Sequence, residues 1–402
     1  MNWKKVKLGE VCLQIRGVSY TPKDVSDIFK ENFLPILRAN NITDYGLVFD
    51  DLVYVDRKNI SETQLLKEGD IVIAASSGSK AIVGKAATFL NNWIGSFGAF
   101  CKVVRPSEGI FSKYVGYFFQ SDKYRKTISH LSAGANINNI RNGDIDNLEI
   151  PLPPLPIQQK IAAILDKADA LRKKDRQLLA RYDELLQSIF YDMFGDPVKN
   201  EKGWEMINLA QVIVEGPQNG LYKNAKDYGK GYPILRIDSF YDGIVYNIDR
   251  LKRVNANDKE AKMFQIYEDN IVINRVNSRS HLGKCALIPK LHEPTLFESN
   301  MMRFEVDNHR ANPKFLIQIL IQPFMKNQIL GRAKDAVNQS SINQQDVKSF
   351  ILPLPPITLQ NQFAAIAQNI QQQKQQVKQQ MEQSEALFQS LLQRAFRGEL
   401  VA

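Results

Sequence analysis

Ile150-Pro151-Leu152-Pro153-Pro154-Leu155-Pro156-Ile157-Gln158-Gln159, leading into Ile161-Ala162-Ala163-Ile164, returns as Leu352-Pro353-Leu354-Pro355-Pro356-Ile357-Thr358-Leu359-Gln360, leading into Phe363-Ala364-Ala365-Ile366. Pro151 and Pro353 stand at an offset of 202. Adjacent prolines restrict the backbone ahead of them to extended conformations and cannot donate to a strand ladder, so each stretch predicts a stiff exit from a folded domain. Beyond each exit the pattern is helical. After the first, apolar residues fall at Ile157, Ile161, Ile164, Ala168, Leu171, Leu178, Tyr182, Leu185 and Ile189, a seam of threes and fours interrupted by Asp175. At 1.5 Å per residue, Ile157 to Met193 would make a rod of roughly 55 Å. After the second, Leu359, Phe363, Ile366, Ile370, Val377, Met381, Leu387 and Leu391 keep the same spacing through a glutamine-rich run at 371–380, which reads as a solvated helix face.

The duplication extends to the rest of the chain. Trp3, Leu8 and Val11 match Trp204, Leu209 and Val212, and Pro35-Ile36-Leu37-Arg38 matches Pro233-Ile234-Leu235-Arg236. Asp70-Ile71-Val72-Ile73 answers Asn270-Ile271-Val272-Ile273, and Gly84-Lys85 answers Gly283-Lys284. Short Ile- and Val-rich runs between Gly, Asn and Asp clusters predict strands at 34–37, 70–75, 234–237 and 270–273. Helical stretches are expected at 112–126 and 313–330. The fold class that results is mixed α/β (α+β): two similar sheet-based domains, 1–150 and 197–352, separated by two long helices. Proline hinge and helix occupy 151–196 and then 353–402. If the halves are related by a pseudo-two-fold axis, the helices are antiparallel partners forming a coiled coil, with Phe396 near the first domain and Phe194 near the second.

A chain of 402 residues exceeds one ordinary core, and 44% hydrophobic with 24% charged residues is a globular composition. The formal net charge of +9 favours polyanionic partners without identifying one. Three scattered cysteines build neither a disulfide framework nor a zinc site, and no apolar run approaches membrane-spanning length, so a reducing, cytoplasmic location is expected. The signs of catalysis are absent. Gly78 to Lys85 imitates a phosphate loop but has one residue too many between its glycines, and Ala86 stands where a magnesium-binding hydroxyl belongs. No Asp/Asn-Pro-Pro-Tyr/Phe box for amino methylation occurs. His130, His281, His292 and His309 share no ligand spacing.

Reading of base edges needs Arg or Lys for guanine and Asn or Gln for adenine, carried on loops or strand ends. Three matched pairs of segments qualify. The first is Ser76-Ser77-Gly78-Ser79-Lys80 with Asn274-Arg275-Val276-Asn277-Ser278-Arg279-Ser280, followed by His281. The second is Arg38-Ala39-Asn40-Asn41 with Arg236-Ile237-Asp238-Ser239, and the third Asn136-Ile137-Asn138-Asn139 with Asn338-Gln339-Ser340-Ser341. Lys85 and Lys284 are candidates for phosphate contacts, which position without specifying sequence. Ordinary polar turns have the same composition.

The repeated Trp-x-x-x-x-Leu start, the twice-used Pro-Leu-Pro-Pro hinge with its Ile-Ala-Ala-Ile or Phe-Ala-Ala-Ile continuation, and the endings Gln187-Ser188-Ile189-Phe190 to Phe194-Gly195-Asp196 and Gln389-Ser390-Leu391-Leu392 to Phe396-Arg397-Gly398-Glu399-Leu400 resemble the specificity subunit of type I restriction-modification systems. The second hinge departs in having Thr358-Leu359 where the first has Gln158. The resemblance implies a non-catalytic protein whose two target recognition domains read the halves of a bipartite, asymmetric site on double-stranded DNA. It also implies docking of two adenine-N6 methyltransferase subunits and an ATP-dependent restriction subunit. S-adenosylmethionine and ATP would belong to those partners, leaving no cofactor or metal in this chain. A pseudo-dimeric DNA-binding regulator, or a scaffold with no enzyme partner, is the alternative.

Overall fold

The structure, a computed structural model, describes residues 3–79, 81–131, 138–337 and 339–401. It divides into two compact units, Met1–Leu179 with Gln376–Ala402, and Ala180–Gln375.

In the first unit the strand Ile71–Ala74 is buried at all four positions. A strand with no polar face must be covered on both sides, and alternation of side chains assigns the two covers. Ile71 and Ile73, with Val104, join a core built on Tyr114, Val115, Phe118 and Tyr124. Val72 and Ala74, with Val103, join another containing Leu37, Phe89 and Phe97. The sheet Ala86–Thr88, Ile71–Ala74, Cys101–Pro106, Cys12–Arg16 is therefore a middle layer. Helices lie on one face and the sheet Ser96–Phe97, Phe33–Leu37, Val53–Asp56, Val25–Ser26 on the other.

The second unit repeats these layers. Ile271 and Ile273 face Phe315, Leu316 and Ile319, while Val272 faces Leu235 and Phe297. Its middle sheet has six strands, with Ile271–Asn274 between Met301–Val306 and Cys285–Leu287. The outer sheet runs Lys252–Val254, Tyr228–Leu235, Thr295–Phe297, Gln265–Ile266.

Each expected helical stretch before a hinge is two helices. Ser112–Phe118 and Asp122–Leu131 are separated at Ser121, whose hydroxyl donates to Phe118 O (2.7 Å) and accepts from Tyr124 N (3.3 Å). Pro313–Leu320 and Pro323–Arg332 are separated because Pro323 has no N–H with which to continue the first helix.

The repeat closes on itself at the hinge. Lys5–Lys7 pairs antiparallel with Glu149–Pro151, and Glu205–Asn208 with Ile351–Leu354. Both sheets are two-stranded, and an edge position is where proline is tolerated. Beyond them, buried Gln158 donates to Pro153 O (2.8 Å) and accepts from Phe111 N (2.9 Å). Gln360 does the same work, donating to Pro355 O (2.7 Å) and accepting from Asn312 N (2.8 Å). The expected departure of the second hinge is thus corrected: Gln360, at an offset of 202 from Gln158, is its counterpart, and Thr358 and Leu359 stand opposite Pro156 and Ile157.

The long helices are Leu155–Phe194 and Ile357–Arg397, 40 and 41 residues. As numbers rise along one, partners fall along the other. In the first unit Arg172 meets Glu385 (3.2 Å) and Asp175 meets Gln380 (2.9 Å). In the second, Lys374 pairs with Asp183, and the rings of Phe190 and Phe363 lie 5.6 Å apart. The helices are antiparallel within each unit. Asp175, the interruption of the seam, is 2% exposed and takes the Gln380 amide on Oδ1.

Candidate nucleic-acid interface

The structure joins the first and third candidate segments of each half. Ser76–Ser77 pairs antiparallel with Asn138–Asn139, forming a short ribbon on the first unit. On the second, Val276–Asn277 pairs with Ser340–Ser341, and Lys334–Asp335 adds a third strand. The same pattern of backbone bonds holds each ribbon within its own unit. Phe100 O accepts from Ala75 N (2.9 Å) and Ser76 N (3.0 Å), while Ala75 O accepts from Ile140 N (2.8 Å). Asn300 O accepts from Arg275 N (2.9 Å) and Val276 N (3.3 Å), while Arg275 O accepts from Ile342 N (2.9 Å). The same turn reaches the remaining candidate segment, since Gly98 N donates to Leu37 O (2.9 Å) and Glu298 N to Leu235 O (3.0 Å), one residue before Arg38 and Arg236.

Around this frame the polar side chains of the first unit are largely committed to neighbours. Arg38 donates to the Asp51 backbone O (2.6 Å) and Oδ2 (2.8 Å), and Asn40 reaches the same carboxylate (3.0 Å). Asn41 is buried, its amide spent on Asp50 O (2.8 Å) and the Arg38 N–H (2.8 Å). Lys85 pairs with Asp44 (2.8 Å). Ser77 Oγ accepts from Ser79 N (3.1 Å), shaping the turn after the ribbon. Ser76 is partly exposed beside it. Lys80 lies outside the described residues, as do Asn136, Ile137 and Asn338, and of Asn138 only the strand pairing is described.

In the second unit Arg236 sits 3.6 Å from Glu298 and 3.8 Å from Asp238. Burial pushes the Glu298 carboxyl above its ordinary range, opposed by the Ile237 N–H and by Arg236. The Lys284 ammonium lies 3.3 Å from the centroid of the Tyr241 ring, against whose edge His281 also packs. His281 Nδ1 is within 2.9 Å of Ser278 Oγ and 3.0 Å of Ser280 Oγ. Arg279 pairs with Asp335, which also accepts from Ser340 Oγ (2.6 Å); that hydroxyl, then Arg279, holds the Asp335 carboxyl below its usual range. Ser340 is buried. Asn277 Oδ1 accepts from Ser278 N (2.8 Å), and Arg275 donates to Ser299 O (3.1 Å). Asn274 is fully buried, and both atoms of its amide are unpartnered among the described residues.

These placements sort the candidates. Asn41 and Ser340 lie inside and shape the loops, and Asn274 lies buried at the end of its strand, whereas Ser76, Ser77, Arg275, Asn277, Arg279 and His281 stand on the ribbon and the loop behind it. Several cations already carry a carboxylate partner, so a polyanion would compete with Asp44, Asp51 or Asp335 for them. Sequence reasoning passed over the turn linking the segments, at Phe100 and Asn300. The signal was present in the offset of 200 that also matches Asp70 to Asn270.

Among the described residues no group of three or more His, Cys, Asp or Glu is placed to hold a metal ion, and no helix is long and apolar enough to cross a membrane. Cys12, Cys101 and Cys285 are buried, and burial pushes each thiol up to about 12.

A family described as "Type I restriction modification DNA specificity domain" matches twice, over residues 1–181 and 201–383. The chain is 32% identical over its whole length to the type I restriction enzyme EcoKI specificity subunit of Escherichia coli K12, covering 90% of that protein. It is equally similar, over 90% of the relative, to the StySPI specificity subunit of Salmonella potsdam. Among solved structures, an S subunit of a type I restriction-modification system from M. genitalium superposes with a TM-score of 0.56 at 16% identity, over 98% of this chain and 96% of that one. A chain solved in work on complex assembly and conformational transition of the type I system gives 0.55 at 19%, over 99% and 98%. With the same two sheet-based domains and long helices, and two matched copies of the defining domain, the protein belongs to the type I restriction-modification specificity subunits.

Proposed function

We propose that residues 1–150 and 197–352 are two target recognition domains, each reading one half of a bipartite, asymmetric site on double-stranded DNA. The observation that carries this reading is the pair of ribbons: identical backbone bonding to Phe100 O and Asn300 O, but different side chains at each matched position. A common frame with exchanged side chains is what two readers of different sequences need, because phosphate contacts position and base contacts specify. Arg275, Asn277, Arg279 and His281 on one side, and Ser76, Ser77 and Ser79 on the other, are the base-facing set, with Lys80 a further candidate from the sequence. Arg38, Asn40, Arg236, Asp238, Lys85 and Lys284 serve the backbone or the edges of the site.

Residues 151–196 and 353–402 are the hinges and helices that set the unread gap and dock two adenine-N6 methyltransferase subunits, joined by an ATP-dependent restriction subunit. The chain carries out no reaction; S-adenosylmethionine and ATP belong to its partners, and the assembly works in the cytoplasm. The test is N6-methyladenine mapping in cells carrying this chain and a methyltransferase subunit, with four residues inserted into both helices. Four residues add about 6 Å to a helix, or one to two base pairs at roughly 3.4 Å each. The expected result is unchanged half-sites with a longer gap. Methylation at the original spacing refutes the ruler, and failure of the unaltered chain to retain the methyltransferase subunit, with tight binding to DNA alone, favours a regulator.

A further inference from the structure

The two readers also differ at a position neither ribbon contains. Phe100 and Asn300 occupy the same turn, one residue before the strands Cys101–Pro106 and Met301–Val306, and each gives its carbonyl to two successive ribbon N–H groups. Their backbones are thus fixed beside the ribbon by the same bonds, while their side chains are opposite in chemistry. Phe100 is 68% exposed. It lies between the fully buried Phe97 and Cys101 in a turn that could have carried a polar residue, as its counterpart does. Asn300 is half-buried, next to Ser299, whose carbonyl anchors the Arg275 guanidinium.

On a surface meant for the major groove the two side chains have different targets. An aromatic ring offers no donor or acceptor, and the base-edge feature that rewards apolar contact there is the thymine 5-methyl group. Carboxamides match adenine, donating to N7 and accepting from N6. Resting on the reading of the two units as recognition domains, we propose that Phe100 and Asn300 are matched specificity-determining residues, Phe100 packing on a thymine methyl in one half-site and Asn300 pairing with an adenine in the other.

The experiment maps N6-methyladenine genome-wide in cells carrying a methyltransferase subunit with the unaltered chain, Phe100→Ala or Asn300→Ala. In Phe100→Ala, one thymine-containing pair of one half-site becomes degenerate, with discrimination falling by roughly tenfold, and the other half-site is unchanged. Asn300→Ala gives the converse. Normal methylation with an unchanged motif in both variants overturns the proposal while leaving the two-reader scheme intact. Absence of any bipartite motif with the unaltered chain overturns that scheme and this assignment with it. Should Phe100→Ala abolish methylation altogether, Phe100→Leu decides: the original thymine retained supports apolar contact, and abolished or non-selective methylation with leucine overturns it.

Discussion

Asp70 and Asn270 each hold the corresponding turn with a side-chain oxygen and then diverge. Asp70 accepts from Lys67 N (2.8 Å) and takes Arg105 on both carboxylate oxygens at 2.7 Å. Asn270 accepts from Tyr267 N (3.1 Å) and from Arg303 (3.2 Å), an arginine two strand positions away from the equivalent of Arg105. The match of 70 to 270 was legible in the sequence, but the arginine partners were not, because they come from non-equivalent positions that only the sheet register brings close. Asp70 is 1% exposed, so removing it strands a largely buried guanidinium. Asp70→Ala is expected to cost about 3–5 kcal/mol in the first unit. Asp70→Asn costs less, since the amide can still cap the turn and accept one arginine bond, as Asn270 does. Denaturant unfolding of the two variants, with hydrogen exchange to locate the loss, checks the order; equal destabilisation would mean that the turn bond contributes nothing and the carboxylate pairing with Arg105 alone matters.

Helices show the same mixture. The seam of threes and fours was enough to place both rods to within a few residues, since a periodic apolar stripe repeated over many turns outweighs the disordered tract that the glutamine-rich run alone would suggest. The breaks at Ser121 and Pro323 were harder, because apolar residues continue across them and only the local cap or missing N–H ends the helix. Nor did the sequence reveal how the rods are locked to the sheets. Phe396 lies 5.2 Å from the Tyr114 ring and Phe388 6.0 Å from Tyr117 in the first unit, while Phe194 lies 4.7 Å from Phe315 in the second. Arg172 adds a second restraint, its guanidinium 3.8 Å from the Phe388 centroid and within 3.3 Å of Asp44 O in the recognition part. Phe388 is completely buried, so Phe388→Ala leaves a cavity and removes the ring that Arg172 covers. A loss of about 3–5 kcal/mol is expected, seen as a lowered melting transition for the first unit with the second unchanged. A cost below about 1 kcal/mol, the range of ordinary surface changes, would show that the helix end is not part of that core.

Over the whole chain, the division of compact units inside both long helices has a consequence for which segments depend on each other. The first unit needs Gln376–Ala402, nearly 200 residues after Leu179, whereas the second is continuous from Ala180 to Gln375. Duplication was readable because both halves keep Trp, Leu, hinge and helix in one order. The exchange of helix ends was readable only as a corollary of assumed symmetry, which fixes the expected neighbours of Phe396 and Phe194 without the packing that holds them. Ending the chain after Gln375 therefore removes material from the first unit alone. Phe388, Leu392 and Ala395 are buried in its core, with Leu391 and Phe396 packed against it. At about 1.5–3 kcal/mol for each large side chain, the loss is on the order of 5 kcal/mol or more, comparable with the roughly 5–15 kcal/mol that holds a domain folded. The truncated chain should lose hydrogen-exchange protection at Ile71–Ala74 and Cys101–Pro106 while Ile271–Asn274 and Met301–Val306 stay protected. Protection lost equally in both sets would mean that the units fold as one cooperative body, and protection kept in both would mean that the second helix contributes nothing to the first core.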